Sequence, residues 1–425
     1  MIILFKHIYA RIFHGGTYLA AMSVLYLAQG IWFAKAWRLS GSVRRPALRK
    51  LLRCLWVAAG MVLFATGMDP FMMSFFPHQG FVYWVFTAAR GWLFASFLGL
   101  MAMAAVRITG WMASNAVPAL RGGGSGQGRS RRTFLRYCAF LAGSAPFLAL
   151  AYGYSARMKY HVRRVDVPVE NLPKNLDGLK IVQLSDIHAG DFMPCAEVRR
   201  AVETANQLGA DLAVVTGDFI SWKGDPLEDC ISELGRLRAP LGVWGCNGNH
   251  ERYTRTEHLS QKLFHRYGMK LLRMQNAELE WRGEKINMIG VDYQPQQGSP
   301  GWKMKMLDGV GALVRKGMPN ILLSHNPNSF YRAAALGIEL SLAGHTHGGQ
   351  ISIGAGGKEL SPALFYTEFT AGMYNLPFGS QGQKASGPGS GAAALYVNRG
   401  MGTIWIPVRI DVPPEITLLT LHPAV

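Results

Sequence analysis

Seven residues between positions 186 and 347 combine carboxylate, amide and imidazole side chains, and they cluster where short apolar runs end. They are Asp186, His188, Asp218, Asn249, His325, His345 and His347. This ligand mixture suits Mn, Fe or Zn better than Ca or Mg. Seven ligands exceed one tetrahedral zinc site, but they fit two ions about 3.5–4 Å apart that share a carboxylate and a water. Such a pair stabilises both oxygens in a displacement at phosphorus, so the sequence predicts a dinuclear hydrolytic site.

The elements that position these residues are five apolar runs rich in Val, Ile and Leu. The runs occupy 179–185, 212–216, 241–246, 320–324 and 338–343. Runs of this kind predict buried strands, and sites in open α/β sheets form just beyond the carboxyl ends of the strands. Helical spacing of apolar residues occurs between them, at 196–208, 227–237, 257–267 and 304–315. The alternation predicts an α/β fold with helices covering the sheet.

The motifs around these residues resemble the five motifs of the calcineurin-like metallophosphoesterases. They read Asp186-x-His188, Gly217-Asp218, Gly248-Asn249-His250-Glu251, His325 and Gly344-His345-x-His347. The run Gly344-His-Thr-His-Gly-Gly-Gln350 resembles the membrane-associated bacterial branch of the family, as do 396–403 and 413–416. The resemblance covers roughly residues 175–422, and Glu251 stands where the family more often has Asp. It implies a two-sheet β-sandwich flanked by helices. The apolar stretches of residues 1–153 predict an all-α transmembrane region before this domain.

The resemblance also implies a role for each residue. The first metal would be held by Asp186, His188, Asp218 and His347. The second would be held by Asp218, Asn249, His325 and His345, so that Asp218 bridges the two divalent ions (Mn, Fe or Zn). His250 would orient a phosphate oxygen or protonate the leaving group. A hydroxide bridging the two metals would then attack phosphorus directly, which makes Asp218 and His250 the expected catalytic residues.

Composition and charge distinguish two halves of the chain. The 425 residues are 49% hydrophobic and only 16% charged, which indicates membrane segments. Residues 1–165 contribute +19 to the net charge of +18, because they carry 20 Lys or Arg and the single acid Asp69. The remaining residues carry 24 basic and 25 acidic side chains. No nucleic-acid partner is therefore expected for the catalytic half, and the expected partners are a phosphate-ester substrate and a membrane.

Four apolar stretches predict a membrane region at 1–153 with about four transmembrane helices. The stretches are 17–34, 54–68, 81–106 and 137–153. A large buried helical core is the competing interpretation, which the flanking basic clusters disfavour. A tether is predicted at 154–178 and the phosphoesterase domain at 179–425, with a Gly/Ser-rich insertion at 379–391.

The basic loops predict the orientation of the catalytic domain. Lys and Arg concentrate between the first and second stretches and between the third and fourth, and none lies at 69–80. Because positive loops stay cytoplasmic, both termini are expected outside. Two groups of basic residues disagree, Lys6 and Arg11 at one end and Arg157, Lys159, Arg163 and Arg164 after the fourth stretch, although long domains translocate despite nearby charge. The segment 130–136 (Ser-Arg-Arg-Thr-Phe-Leu-Arg) resembles a twin-arginine export signal. The predicted location is a bacterial cytoplasmic membrane, multi-pass, with the catalytic domain extracytoplasmic.

The predicted function is hydrolysis of phosphodiester or phosphomonoester bonds on lipid-linked or cell-envelope phosphates. Trp222, Trp302 and Phe330 are candidate apolar contacts for such a substrate. The main competing function is that of a cytoplasm-facing pyrophosphatase that acts on a nucleotide-linked lipid precursor. A noncatalytic membrane binding module and a nuclease complete the set of candidate functions. The sequence leaves the oligomeric state open.

Overall fold

The computed structural model describes residues 15–67, 79–116, 125–294, 302–355, 358–379 and 391–424. It divides into two compact units, Met1–Tyr152 and Gly153–Val425. The Gly/Ser-rich insertion predicted at 379–391 lies outside the described residues except for its two ends.

Long helices cover the described part of each predicted apolar stretch, and the last of them continues from the first unit into the second. They are α1 (Gly15–Gly41), α2 (Pro46–Gly67), α3 (Gly80–Ala116) and α4 (Ser125–Ala156). Within the described residues, Gly80–Ala113 and Arg132–Ala156 are long and apolar enough to cross a membrane. Membrane association is therefore indicated, and the number of four spans stays a prediction.

The second unit is built from two six-stranded sheets and a hairpin. In chain order the strands are β1 (His161–Val169), β2 (Lys180–Leu184), β3 (Leu212–Thr216), β4 (Val243–Cys246), β5 (Lys270–Leu271), β6 (Gln275–Trp281), β7 (Glu284–Gly290), β8 (Asn320–Leu323), β9 (Leu340–Ala343), β10 (Ile353–Ala355), β11 (Lys358–Leu360), β12 (Gly372–Pro377), β13 (Ala392–Val397) and β14 (Glu415–Pro423). The first sheet has the order β1-β14-β2-β3-β4-β5 and the second β12-β13-β9-β8-β7-β6, while β10 and β11 pair separately. The strands β2 to β5 run parallel, as do β7, β8, β9 and β13.

Alternating side chains of the parallel strands fill two cores, which explains why these strands are apolar throughout. Ile181 packs between the two sheets, whereas its neighbour Val182 packs on the outer face of the first sheet. On the second sheet, Leu323 packs between the two sheets and Leu322 packs on the outer face. Successive strand residues point to opposite faces, so both faces are buried. The predicted sandwich flanked by helices is confirmed.

Helices cover the outer faces of both sheets. They are α5 (Cys195–Gln207), α6 (Leu227–Leu234), α7 (Asn249–Thr254), α8 (Glu257–Arg266), α9 (Trp302–Lys305) and α10 (Phe330–Ala335). The helix predicted at 304–315 is wrong, because α9 ends at Lys305 and a 3₁₀ turn follows at Val310–Leu313. Gly309 separates them with a φ of 78°, which a continuing right-handed helix cannot accept.

The segment predicted as a tether, 154–178, holds a strand of the first sheet. Strand β1 runs parallel to β14 and pairs with it from His161 to Val169. Val167 and Val169 are buried while Arg164, Asp166 and Pro168 are exposed, so the segment alternates as an edge strand should. A free tether is therefore wrong for 161–169, where backbone pairing holds the chain against the catalytic sheet.

Candidate metal centre

The seven predicted ligands lie together at the carboxyl ends of strands from both sheets. Asp186 and His188 follow β2, Asp218 follows β3, and Asn249 begins α7 after β4. On the second sheet, His325 follows β8, and His345 and His347 follow β9. All seven are buried except His345, which is half-buried. The two sheets thus contribute to one site at their common edge.

The backbone turns sharply at five of these positions. Non-glycine residues with φ between 50° and 75° include Asp186, His188, Asp218, His345 and His347. This left-handed conformation costs a non-glycine residue about 1–2 kcal/mol, and such strain is concentrated at functional sites. Hydrogen bonds hold the turns in place: Asp186 N donates to Gly217 O at 3.1 Å and His188 N donates to Asp218 O at 3.0 Å.

One group of side chains brings Asp186, His188 and His347 together. His347 Nε2 lies 3.2 Å from Asp186 Oδ1 and 3.1 Å from His188 Nε2. One ligand atom from each of the three lies within 4.8 Å of the others. Gly344 makes room for this group, since a Cβ there would overlap Asp186 Oδ2. We call these three residues cluster 1.

A second group brings Asp218, His325 and His345 together beside Asn249. His325 Nε2 lies 3.1 Å from Asp218 Oδ2 and 3.1 Å from Asn249 Oδ1. His345 Nδ1 lies 2.7 Å from the same Asn249 oxygen. Asp218, His325 and His345 also place one ligand atom each within 4.8 Å of one another. We call these four residues cluster 2.

Asp218 faces both clusters through a single oxygen. Its Oδ2 lies 3.1 Å from His325 Nε2 in cluster 2 and 3.6 Å from His188 Nε2 in cluster 1. Its other oxygen, Oδ1, accepts a hydrogen bond from His250 N at 2.8 Å. A carboxylate in this position can bridge two cations.

Burial favours neutral imidazoles in both clusters. It lowers the pKa of His345 to about 3 and holds the pKa values of His188 and His347 well below their usual range. Neutral imidazole is the form that ligates metals. Burial acts in the same direction on His325, but the carboxylates of Asp218 and Asp186 outweigh it and raise its pKa to about 10. The two carboxylates thus attract a positive charge. A proton on His325 supplies that charge, and a bound metal cation would supply it as well.

Hydrogen bonds outside the clusters fix the orientation of three rings. His325 donates from Nδ1 to Thr216 O at 2.6 Å, which leaves Nε2 directed at Asp218. His250 donates from Nδ1 to Ser221 O at 2.6 Å, and Ser221 Oγ lies 2.9 Å from His188 Nδ1. Partners of this kind set which nitrogen is left for a ligand. His250 thereby presents its Nε2 beside cluster 1, where its ring meets that of His188 edge-on.

Glu251, the departure from the family pattern, holds the loops of the site in place. The buried carboxylate accepts hydrogen bonds from Gly248 N at 2.7 Å, Phe219 N at 2.8 Å and Asp218 N at 2.9 Å. Burial, together with the negative charge of Asp218, raises its pKa to about 7. Glu251 therefore fixes the backbone of Asp218 and does not face either cluster.

Arg409 is a buried residue of the site that the sequence analysis missed. It is 1% exposed, and it donates to His347 O at 3.1 Å, Arg399 O at 2.8 Å and Gly400 O at 3.1 Å. Its Nη2 also lies 3.3 Å from His347 Nδ1. A sequence signal exists, because an arginine inside the apolar run 404–410 is rarely buried without dedicated partners. Arg409 positions the His347 loop through these carbonyl groups.

Replacing Arg409 with methionine is expected to weaken metal binding by about 10- to 100-fold, the usual effect of removing a group that orients a ligand. Metal affinity of the full-length chain, measured by competition with a chromophoric chelator, tests this. Arg409→Lys should recover only part of the affinity, because an ammonium cannot reach several carbonyls as a guanidinium does. The exposed Arg282→Met serves as the control, and equal affinity in all the variants would exclude the positioning role.

Comparisons with known proteins identify a family of metal-dependent phosphoesterases, in agreement with the two clusters of candidate metal ligands. Residues 179–349 match the family described as calcineurin-like phosphoesterase. An uncharacterized metallophosphoesterase of Bacillus subtilis is 30% identical over 300 residues, which cover 69% of this chain and 97% of that protein. A zebrafish transmembrane protein with a metallophosphoesterase domain is 31% identical over 61% of this chain, but the match spans only 57% of that protein. A UDP-2,3-diacylglucosamine pyrophosphatase of Chlamydia trachomatis is 29% identical over 59% of this chain and 86% of its own length.

Proposed function

Because the chain belongs to the calcineurin-like phosphoesterase family and is a metal-dependent phosphoesterase, we propose that it uses two divalent ions to hydrolyse phosphodiester or phosphomonoester bonds. The first ion is assigned to Asp186, His188, Asp218 and His347. The second is assigned to Asp218, Asn249, His325 and His345. The single observation that carries this proposal is the position of Asp218 Oδ2 between His188 and His325.

The donor set fits this assignment. Two carboxylates, one amide oxygen and four imidazoles suit borderline transition metals, and burial keeps three of the imidazoles neutral. When bound, two such ions supply a water nucleophile of lowered pKa and neutralise charge on the phosphate. The buried hydrogen bonds of Glu251, Thr216 and Ser221 hold the ligands and His250 in place before substrate arrives.

His250 is assigned the proton transfer to the leaving group. Its Nδ1 donates to Ser221 O, and its backbone N donates to Asp218 Oδ1. The ring is therefore fixed with Nε2 available beside the metal ligands. A protonated Nε2 can give its proton to the departing alkoxide, and the ring can orient a phosphate oxygen in the same position.

We propose a lipid-linked or cell-envelope phosphate as the substrate class. Two helices long and apolar enough to span a membrane support this, together with relatives named as transmembrane proteins. The Chlamydia relative is named for a substrate that joins a nucleotide to an acylated sugar. That name also favours the second candidate, a cytoplasm-facing pyrophosphatase acting on a nucleotide-linked lipid precursor.

Hydrolysis assays on the full-length chain in detergent test the proposal against the competing functions. The substrates are a bis-aryl phosphodiester, an acylated-sugar nucleotide and single-stranded DNA. We expect cleavage of the first, and cleavage of the second at the pyrophosphate would favour the cytoplasm-facing candidate. Preferential cleavage of DNA would identify a nuclease. If metal-loaded protein hydrolyses none of the three substrates, the result would favour a noncatalytic binding module.

Metal restoration after chelation is expected to follow ligand chemistry. Activity lost to a chelator should return best with Mn, Co or Zn, because four imidazole ligands disfavour Mg, which prefers oxygen donors. Initial rates measured at equal free metal concentrations test this order. Full recovery of activity with Mg and little recovery of activity with Mn would contradict the assignment of imidazoles as ligands.

A fusion at the carboxyl terminus tests the proposed extracytoplasmic orientation. Alkaline phosphatase fused after the last residue should be active, because this enzyme requires an oxidising compartment for its disulfides. A fluorescent protein that matures only in the cytosol should stay dark at the same position. The opposite pair of results would place the catalytic unit in the cytoplasm and favour the pyrophosphatase candidate.

A further inference from the structure

An exposed apolar surface lies on the chain that follows the metal ligand His347. Phe365 is 91% exposed and Tyr366 is 73% exposed. Ile353 and Leu360 are directly opposite each other across the β10–β11 hairpin, and both are exposed. Together with Leu364 and Trp405 we call these residues the apolar rim. Exposed apolar groups gathered on linked segments of the chain indicate contacts with a partner or a membrane.

The exposure of the rim does not come from a loosely held loop. Ser361 Oγ accepts a hydrogen bond from Ala363 N at 3.2 Å and so begins the 3₁₀ turn Pro362–Phe365. Ala363 and Thr367 on either side are buried, and Thr367 Oγ1 donates to Asn328 Oδ1 at 3.0 Å. Leu364, Phe365 and Tyr366 are thus presented outward between two anchored residues.

The rim is attached directly to the metal-binding loop. Ser361 Oγ donates to Gly348 O at 2.8 Å, next to His347. Gly349 allows this approach, since a Cβ there would overlap Ser361 Oγ, and its φ is 81°. Whatever binds the rim is therefore held close to the candidate metal centre.

The last turn of α4, from Gly153 on, belongs to the second unit and is bonded there to the segment that follows Trp405. Gly153 O accepts a hydrogen bond from Arg409 N at 3.0 Å, and Ile410 pairs with Ile351. Gln350 Nε2 donates to Ile404 O at 3.0 Å, which ties the segment carrying Trp405 to the segment carrying Ile353. Helix α4, which is apolar enough to enter a bilayer, thus ends against the segment 404–410, which carries Trp405 of the rim.

The connection from α4 to the first strand is short. Residues 157–160 alone lie between the end of α4 and the start of β1, and the chain across them spans at most about 18 Å. The catalytic sheet is therefore held close to the end of the apolar helix.

Charge near the end of α4 favours an anionic lipid surface. Lys159, Arg163 and Arg164 are exposed immediately after the helix. Basic residues close to a bilayer are attracted by anionic headgroups. Aromatic side chains such as Phe365, Tyr366 and Trp405 are typical of the region where headgroups meet acyl chains.

We propose that the apolar rim docks on the lipid bilayer that α4 enters, with its aromatic side chains among the headgroups and upper acyl chains. The metal centre would then open beside the bilayer surface, where a lipid-linked phosphate can reach it without leaving the membrane. The docking itself does not depend on catalysis, whereas this consequence rests on the proposed function.

The direct test is labelling of the full-length chain in vesicles of phosphatidylethanolamine and phosphatidylglycerol that carry a photoactivatable phospholipid. Peptides covering 353–366 should be labelled well above the peptide of α8, which carries the exposed Leu259 outside the rim. The double variant Phe365→Ser, Tyr366→Ser should reduce rim labelling by about tenfold and leave labelling of α3 and α4 unchanged. Leu259→Ser is the matched control and should change neither signal.

Rim labelling no higher than that of α8 would overturn the proposal. Measurements of activity distinguish failure of the docking proposal from failure of the proposed function. The double variant should lose about tenfold on a lipid phosphate in vesicles and keep its rate on a soluble aryl ester. Wild-type protein that is labelled at the rim but hydrolyses neither substrate would refute the catalytic proposal and leave the docking intact.

Discussion

Replacing Asp218 with asparagine is expected to remove bound metal and hydrolytic activity together, with a fall in rate of about 10³-fold or more. The reason is the position of Oδ2, which lies 3.1 Å from His325 Nε2 and 3.6 Å from His188 Nε2. An amide keeps the shape of the side chain but loses the charge shared by both clusters. Metal content and initial rate, measured on the same preparation, test the expectation.

The matched control is Asp211→Asn, which changes a carboxylate one residue before the same strand. Asp211 Oδ2 accepts a hydrogen bond from Lys180 N at 2.9 Å, at the opposite end of the strand from the site. This control should keep its metal and its rate. An active Asp218→Asn variant with full metal content would show that the carboxylate does not bridge.

Replacing His250 with alanine is expected to lower the rate by about 10²–10⁴-fold, the usual contribution of a positioned acid, with metal retained. The backbone hydrogen bond from residue 250 to Asp218 Oδ1 survives the substitution, so the clusters should persist. Because the lost function is protonation of the leaving group, the defect should shrink as the pKa of the leaving group falls. Rates on a series of aryl phosphate esters measure this dependence.

His258→Ala is the control for the His250 variant, since His258 is exposed on α8. It should match the wild-type chain on every ester. A His250→Ala defect that is the same for good and poor leaving groups would assign the residue to phosphate binding only. Full activity of His250→Ala would remove it from the catalytic residues.

The positions of the ligands could be predicted because each combines two independent sequence signals, an apolar run and a polar residue directly after it. A run such as 212–216 is apolar enough to be buried on both faces, and a ligand such as Asp218 stands directly after it. The carboxyl ends of parallel strands meet at one edge of a sheet, which brings together the ligands that follow strands of the same sheet. The seven residues divide between two sheets, and the packing of the two sheets brings both groups to a common edge.

Other features depend on partners that are distant in sequence. The strand β1 alternates only weakly and becomes a strand by pairing with β14, more than 240 residues away. Likewise Arg409 acquires its role from carbonyls of the 347 and 399–402 loops. An arginine inside an apolar run indicates that partners exist, but periodicity and composition do not show which distant residues they are.

Exposure of single aromatic residues was the least predictable feature. Phe330, a candidate apolar contact for substrate, is fully buried beneath the second sheet against Phe369. Trp222 is half-buried with its ring centroid 6.1 Å from that of His250, and the side chain of Trp302 lies outside the described residues. Exposed aromatic side chains of the second unit include Phe365 and Tyr366, whose neighbours Ala363 and Thr367 face inward. An isolated aromatic is more often core than surface, so only the fold reveals these exceptions.

Elemental analysis of the purified full-length chain, combined with its rate on a bis-aryl phosphodiester, tests the dinuclear site most directly. We expect close to two transition-metal ions per chain, and activity that rises in proportion to occupancy of the second ion. The proposed assignment of one ion to each cluster, with Asp218 shared between them, predicts this stoichiometry. Full activity at one ion per chain, or in metal-free protein, would contradict the dinuclear centre.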